Sequence, residues 1–500
     1  MTAQNDVDAT ALDQAQTQDS GLDLTACDRE PIHIPGSIQP HGLLLVADPT
    51  SLTIVAGAGD IEGRLAAEWL GADLARVLAQ AVPADDVGPG ELVGDPVMGS
   101  TERFEVTIHR SGDYVLAELE PVDAAPMTAT QMLGRLNPMI TMFERATDLS
   151  TLCDRAAIAF RQLTGFDRVM IYRFLDDDAG RVVAEDRAVG LGTFLNHHFP
   201  ASDIPQQARA LYVRNRTRTI PMIAYTPAVL RPAGFETLDL SDVTVRSVSP
   251  IHLRYLANME VAASASISIV KDGLLWGLIA CHHATPRGLS PDVRAASATL
   301  ASGLARQIRA KEEAEIYRER LRLRGAEDAV IAKLATEPAP RSIVVALRDD
   351  LRRMLDADGF AFVQGTIVDT DGVCPAHDEI RDLAAWVCAR SGIEPLATHE
   401  LPALLPRAEA YRACASGVLA MPLIDDGAML FWFRAEQAEE VEWAGNPHKA
   451  VSLDPTAVLT PRTSFESWTQ IVSGRSRRWT LEEIEAAHRL RRAFHDAHIN

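Results

Sequence analysis

Cysteine is scarce and scattered in this chain: six residues, at positions 27, 153, 281, 374, 388 and 414, with no C-x-x-C pair among them. That excludes a disulfide framework and a zinc knuckle, and it suits a reducing compartment. Long apolar runs are also missing. The longest, from Leu274 to Cys281, is far too short to span a bilayer, and the Gln-, Asp- and Thr-rich first twenty residues hold no apolar core of a signal peptide. Positive charge is in deficit, with 48 Lys and Arg against 69 Asp and Glu, and the net charge of −21 argues against a nucleic-acid footprint. Histidines gather at His197-His198, His252 and His282-His283, yet no H-E-x-x-H spacing or comparable ligand set accompanies them, so no metal site is expected. These absences leave a soluble, cytoplasmic protein with no membrane or nucleic-acid partner.

What is present is an ordinary folded composition, 47% hydrophobic and 23% charged, in 500 residues. That length exceeds one core, so roughly two to four domains are expected. Residues 1–21 are polar, acidic and without periodicity, and read as disordered. A small α+β domain follows over 22–126, with strands expected at His41–Asp48, Thr53–Ala56 and Tyr114–Val122. A second unit, 127–320, opens on a helical stretch from Gln131 to Leu163 ended by Gly165. Hairpins are expected at Val169–Phe174 with Arg181–Glu185, and at Ser264–Val270 with Leu274–Cys281 across Lys271-Asp272-Gly273. From Pro291 to Ala335 there is no proline after the first residue, and the stretch reads as one connecting helix, ~65 Å long at the standard rise. The third unit, 321–500, repeats the recipe: a helix from Ser342 to Leu355, a strand at Phe360–Gln364, and a hairpin of Val418–Ile424 with Met429–Phe433. Residues 436–478 hold few core-like runs, and a helix runs from Leu481 to about His498.

The string Phe199-Pro-Ala-Ser-Asp-Ile-Pro205 is the most unusual locally. Its two prolines fix φ on both sides of an acidic loop and remove two donors, leaving carbonyls held for something that needs acceptors. The other reading is a helix cap at Ser202 or Asp203. Tyr212 and Arg218 follow, then Arg246 and Ser249-Pro-Ile-His252-Leu-Arg-Tyr255. Guanidinium forks match carboxylates, each charge-assisted bond contributing roughly 1.5–3 kcal/mol, so Arg218 and Arg246 are candidate carboxylate clamps if they do not sit on a solvated face. Ser264 and Ser266 alternate on one strand face. His252 and His282 either fill the core or donate to a ligand oxygen. Cys27 lies in a stiff, proline-rich entry segment where Arg29 favours the thiolate and Asp28 and Glu30 oppose it.

Taken in order, these strings resemble the photosensory core of bacterial phytochromes. The strings are Cys-Asp-Arg-Glu-Pro-Ile-His-Ile-Pro-Gly-Ser-Ile-Gln-Pro-His-Gly, Pro-Ala-Ser-Asp-Ile-Pro, Ser-Pro-Ile-His-Leu-Arg-Tyr, Leu-Trp-Gly-Leu-Ile-Ala-Cys-His-His and Pro461-Arg-Thr-Ser-Phe465. The resemblance covers about residues 22–500. It implies an α+β fold of three domains, PAS (22–126), GAF (127–320) and a GAF-like PHY (321–500), each an antiparallel sheet flanked by helices, joined by the long helix. It also implies a linear tetrapyrrole attached through Cys27, near the Asp203 carbonyl and His252, with Ile204 and Pro205 in the same loop and His282 donating to the D-ring carbonyl. Tyr212, Arg218, Arg246, Ser264 and Ser266 would hold the propionates; Tyr172, Phe199 and Tyr255 would line the D-ring space. Ile251 stands where other members carry their attachment cysteine, which makes biliverdin the expected chromophore. Residues about 437–478 would form a tongue, with Trp443, Arg462 and Ser464 in its switching motifs and Arg462 pairing with Asp203 in one state. The expected activity is red/far-red sensing by D-ring isomerisation, without catalysis, in a homodimer joined through long helices. Output would pass to a further domain or a response regulator, since no phosphoacceptor box or Gly-rich ATP site is visible. A GAF-type small-ligand regulator and a bilin- or haem-processing enzyme are the competing classes; visible absorption after bilin addition separates the first, and product formation from haem the second.

Overall fold

The computed structural model describes residues 30–82, 92–122, 127–334, 340–391, 394–423, 427–446 and 465–499. They form two compact units, one from the described parts of Met1–Ala146, Ser150–Arg306 and Ala444–Glu466, the other from Thr147–Leu149, Gln307–Trp443 and Ser467–Asn500.

The first unit holds two larger antiparallel sheets and a two-stranded one. In the N-terminal one the order is Ile54–Ala58, Leu43–Ala47, Tyr114–Val122, Arg103–Ser111, Leu92–Val93. The strand Leu43–Ala47 is buried along its whole length. Leu43 and Leu45 pack with Ile61, Trp69, Leu74 and Leu78, while Leu44 and Val46 pack with Leu230, Leu240, Val243 and Val245. Burial on both faces is why this strand reads as a continuous apolar run. The chain just before it lies between two stretches of the middle region. His33 and Gly36 carbonyls accept from Leu240 and Leu230, Ser37–Ile38 pairs with Ala228–Val229, and Gln39 N–H donates to Val245 at 2.7 Å.

The middle region is entered by two helices, Ala129–Glu144 and Leu149–Thr164, where one continuous stretch was expected. Thr147 and Asp148, poor helix formers that hydrogen-bond each other at 2.7 Å, separate them. Gly165, at φ +69, ends the second and returns its N–H to Arg161. The sheet order within this unit is Thr217–Ile220, Ala263–Lys271, Leu274–His283, Arg168–Phe174, Gly180–Arg187, His198–Phe199. Asp272 (φ 53) and Gly273 (φ 82) close the central hairpin with the left-handed pair that a two-residue turn requires. Alternation then separates the faces. Val169, Ile171, Ile267, Ile279 and Cys281 are fully buried on one, while Met170, Tyr172, Ser264, Ser266, Leu278, Ala280 and His282 occupy the other.

The helix Pro291–Leu334 is continuous over 44 residues and is shared between the two units. In the second unit the sheet order is Ile367–Gly372, Gly359–Gln364, Ala428–Arg434, Gly417–Pro422, Leu396–Thr398. Its central hairpin sits beside Gly359–Gln364 as the earlier hairpin sits beside Arg168–Phe174, which is the duplication expected from sequence. Helices Pro340–Met354 and Leu481–Ile499 cover one face through Leu351, Leu490 and Phe494 on Trp432; His377–Ser391 covers the other through Ile380 and Leu383. Arg434 is fastened beneath the last helix. It donates to Glu483 at 2.6 Å and to the Leu355 and Arg478 carbonyls, with Trp479 stacked 3.6 Å from its guanidinium carbon. The architecture is thus α+β in three regions joined by a long helix, as expected.

Candidate functional site

The polar-bearing face of the middle sheet is where most of the singled-out residues converge. Cross-strand register places Ser264 opposite His282, and His282 opposite Arg168; the next row runs Arg218, Ser266, Ala280, Met170. Tyr172 stands one row further along, opposite Leu278, with its ring 5.2 Å from Phe174 and 5.8 Å from Phe199. Around this row Val182, Phe194, Ile204, Tyr212, Ala444 and Phe465 close an apolar cluster.

Asp203 ends a single turn, Ala201–Asp203, that hangs from Pro200, and Pro205 opens the helix Gln206–Arg214 with no side-chain cap. The N-cap position of that helix falls to Pro205, not to Ser202 or Asp203. Instead the Asp203 carboxylate accepts from Tyr255 Oη at 3.1 Å, and the Ile204 carbonyl accepts from Arg209 Nε at 2.9 Å. His252 and Tyr255 lie on the helix Pro250–Asn258, capped by Ser249, with their rings nearly parallel and 6.0 Å apart. The Tyr255 ring also meets Phe465 edge-on at 4.9 Å.

The charges are unusual for a protein interior. Arg246 is 6% exposed; its Nη1 donates to the Leu240 and Ser241 carbonyls and its Nε has no hydrogen-bond partner. Arg218 donates to the carbonyls of Thr244, Arg246 and Ser247. Burial, then the neighbouring Arg218 charge, pushes Arg246 down to about 9, and burial lowers Arg218 as well. Among the described residues no carboxylate is hydrogen-bonded to either guanidinium. Two adjacent cations, Arg246 buried with an orphaned N–H and Arg218 half-buried, are costly unless an anion joins them. His282 repeats the pattern: it is 9% exposed, its Nδ1 is unpartnered, and burial followed by the charges of Arg168 and His252 pushes it down to about 3. His252 is likewise held neutral, at about 4, by burial and by Arg218. A neutral imidazole beside apolar rings, with two arginines that no described carboxylate hydrogen-bonds, fits a largely apolar ligand that carries carboxylates.

Three regions of the chain match known families: residues 27–122 the PAS fold, 148–310 the GAF domain and 323–500 the phytochrome region. A bacteriophytochrome of Xanthomonas campestris is 37% identical over 95% of this chain and 79% of its own length. The chain belongs to the phytochrome family. Cyanobacterial phytochrome B of Nostoc is 34% identical over 95% of the chain, which spans 66% of that relative. Among solved structures, a bacteriophytochrome from the photosynthetic bacterium R. palustris superposes with a TM-score of 0.81 at 39% identity, covering 95% of this chain and 99% of its own. The photosensory core module of the Stigmatella aurantiaca phytochrome gives 0.78 at 36% identity, with 95% and 98% covered. The three matched regions together make a PAS-GAF-PHY photosensory module of the red/far-red photoreceptor class.

Cys27, Arg462 and Ser464 lie outside the described residues, as does the segment 1–21. Trp443 lies on the strand Glu439–Ala444, beside Ser467–Val472, and its Nε1 donates to Gln470 at 3.0 Å. Sequence reading missed Arg168, which pairs with Glu185 and lies over Phe194 at 4.6 Å next to His282. It also missed Gln39, which donates to the Thr219 and Arg246 carbonyls. An arginine opening an apolar strand was the available signal for the first; the second had none. No group of metal-ligating side chains occurs among the described residues, and none of their helices is long and apolar enough to cross a membrane.

Proposed function

We propose that this phytochrome binds biliverdin covalently and senses red and far-red light through it. The observation that carries the reading is the adjacent pair Arg218, half-buried, and Arg246, buried with an orphaned Nε that suits a propionate. Arg218, Arg246, Tyr212, Ser264 and Ser266 hold the two carboxylates, and the apolar cluster about Tyr172, Phe199 and Tyr255 houses the terminal ring. When bound, biliverdin supplies visible-light absorption and a D ring that isomerises about its methine bridge. Neutral His282 donates to the D-ring carbonyl, and the loop Asp203-Ile204-Pro205 offers the Asp203 carbonyl to pyrrole N–H groups with His252 beside it. Cys27 is the attachment residue, since Ile251 precludes attachment next to His252.

Signal passes when Asp203 changes partners. Tyr255 Oη donates to its carboxylate in this structure, and Arg462 of the tongue (about 437–478) is proposed to pair with it in one state and leave it in the other, with Ser464 and Trp443 in the moving segment. The domain limits proposed for that transmission are 22–126, 127–320 and 321–500. Exposed Ile316, Tyr317 and Leu321 on the long helix support a homodimer joined through it, and a cytoplasmic setting with a downstream output domain or response regulator completes the reading. Incubation of Cys27→Ser with biliverdin tests the anchor: the expected result is bound pigment that separates from the chain on denaturation, and pigment retained on the denatured chain would place the attachment elsewhere.

A further inference from the structure

The strand Tyr114–Val122 is apolar except for acids at alternate positions, so Glu118 and Glu120 share a face. That face carries Leu44 and Leu116 and is covered by the segment bearing Leu240, Val243 and Val245. Each acid finds a partner there. Glu120 pairs with Arg294, Nη1 donating at 2.8 Å. Glu118, 1% exposed, takes no guanidinium; it accepts two consecutive backbone N–H groups, Thr244 on Oε2 at 2.9 Å and Val245 on Oε1 at 2.8 Å. His109 Nε2 stands 3.3 Å from Oε2. Burial works against this carboxylate, but the hydrogen bond and charge of His109, the Arg294 charge and the Thr244 N–H outweigh it and keep it ionised.

The next residue is Arg246. Its carbonyl is held from the other side by Gln39 Nε2 at 3.4 Å and Arg218 Nη2 at 2.5 Å. The backbone of 244–246 is thus clamped from an N-terminal strand and from the middle sheet at once, with the orphaned Arg246 Nε beyond the clamp. A buried carboxylate is a costly way to hold a loop that apolar packing already covers. What the carboxylate adds is direction, because two N–H groups on two oxygens fix position and rotation together.

We propose that Glu118 is a positioning residue for chromophore carboxylate recognition, setting the aim of Arg246 at a propionate from a strand of the neighbouring domain. The inference rests on the bilin-binding reading above. Glu118→Gln turns an amide NH2 toward a backbone N–H, so one of the two bonds is lost and two donors face each other. Glu118→Asp keeps the charge but is one methylene too short to meet both N–H groups.

The test compares biliverdin with its dimethyl ester, in the Cys27→Ser background so that binding is reversible, with dissociation constants read by absorption titration. The parent binds the diacid more tightly than the diester. Glu118→Gln lowers that preference about tenfold while diester affinity changes little, Glu118→Asp lowers it by less, and adding Arg246→Gln to Glu118→Gln lowers it no further. Equal losses for diacid and diester, in Glu118→Gln or, should that variant not fold, in Glu118→Asp, overturn the positioning role. A parent that binds neither pigment overturns the bilin reading instead.

Discussion

At Gly180 a Cβ would lie 1.8 Å from the Tyr172 phenol, so the ring can sit over the Gly180–Arg187 strand only because nothing projects there. Gly180→Ala should displace Tyr172 and cost about 1–3 kcal/mol, the range for forcing extra volume into a packed core. A urea titration of the chain without pigment measures it. The histidines make a second residue-scale prediction. His41 and His252 are held at about 4 and His282 at about 3, chiefly by burial, against a value of 6.5 when unfolded. Below 6.5 the unfolded chain therefore binds more protons than the folded one, and stability falls as pH drops from about 6.5 to about 4 for His41 and His252 and on to about 3 for His282, levelling below that for these groups. The urea midpoint should decline over that window, and His252→Gln should make the decline shallower. An unchanged slope would mean that His252 is not held neutral.

Among the elements, the last helix depends on an ion pair that sequence could not announce. Arg434 is 2% exposed and Glu483 fully buried. Removing one partner strands the other, so Glu483→Ala should cost about 3–5 kcal/mol, whereas joint replacement by apolar residues of similar size should cost far less. Chemical unfolding of the two variants side by side decides it. The hairpins were legible because Asp-Gly turns and alternating apolar residues are local signals, and so was the helix Pro291–Leu334. The strand Arg103–Ser111 was not expected although Phe104, Val106 and Ile108 alternate, because its other positions are polar. The break between the first two helices of the middle region was also passed over, since Thr147 and Asp148 interrupt a pattern whose apolar spacing continues on both sides. The site was legible as an ordered set of strings, with Asp203, Arg246 and His282 each ambiguous alone. Glu118 was not legible at all: its partners lie 126 and 127 residues away, and only tertiary structure joins them.

Across the whole molecule, the phytochrome module places its candidate pocket within the first unit and leads the long helix out from it into the second. The loop that carries Arg246 is held from the N-terminal sheet through Glu118, so the proposed pigment recognition would draw on both regions. The chain covers about two thirds to four fifths of the curated relatives described above, and what it drives in the cell depends on the partner proposed for it. The proposed step is that light acts on a bilin at this site. The direct measurement is a light-minus-dark difference spectrum of the chain incubated with biliverdin, under alternating red and far-red illumination. Reversible interconversion of a red-absorbing and a far-red-absorbing form is the predicted result. A pigment that fails to bind, or one that binds and shows no reversible change under either light, would contradict it.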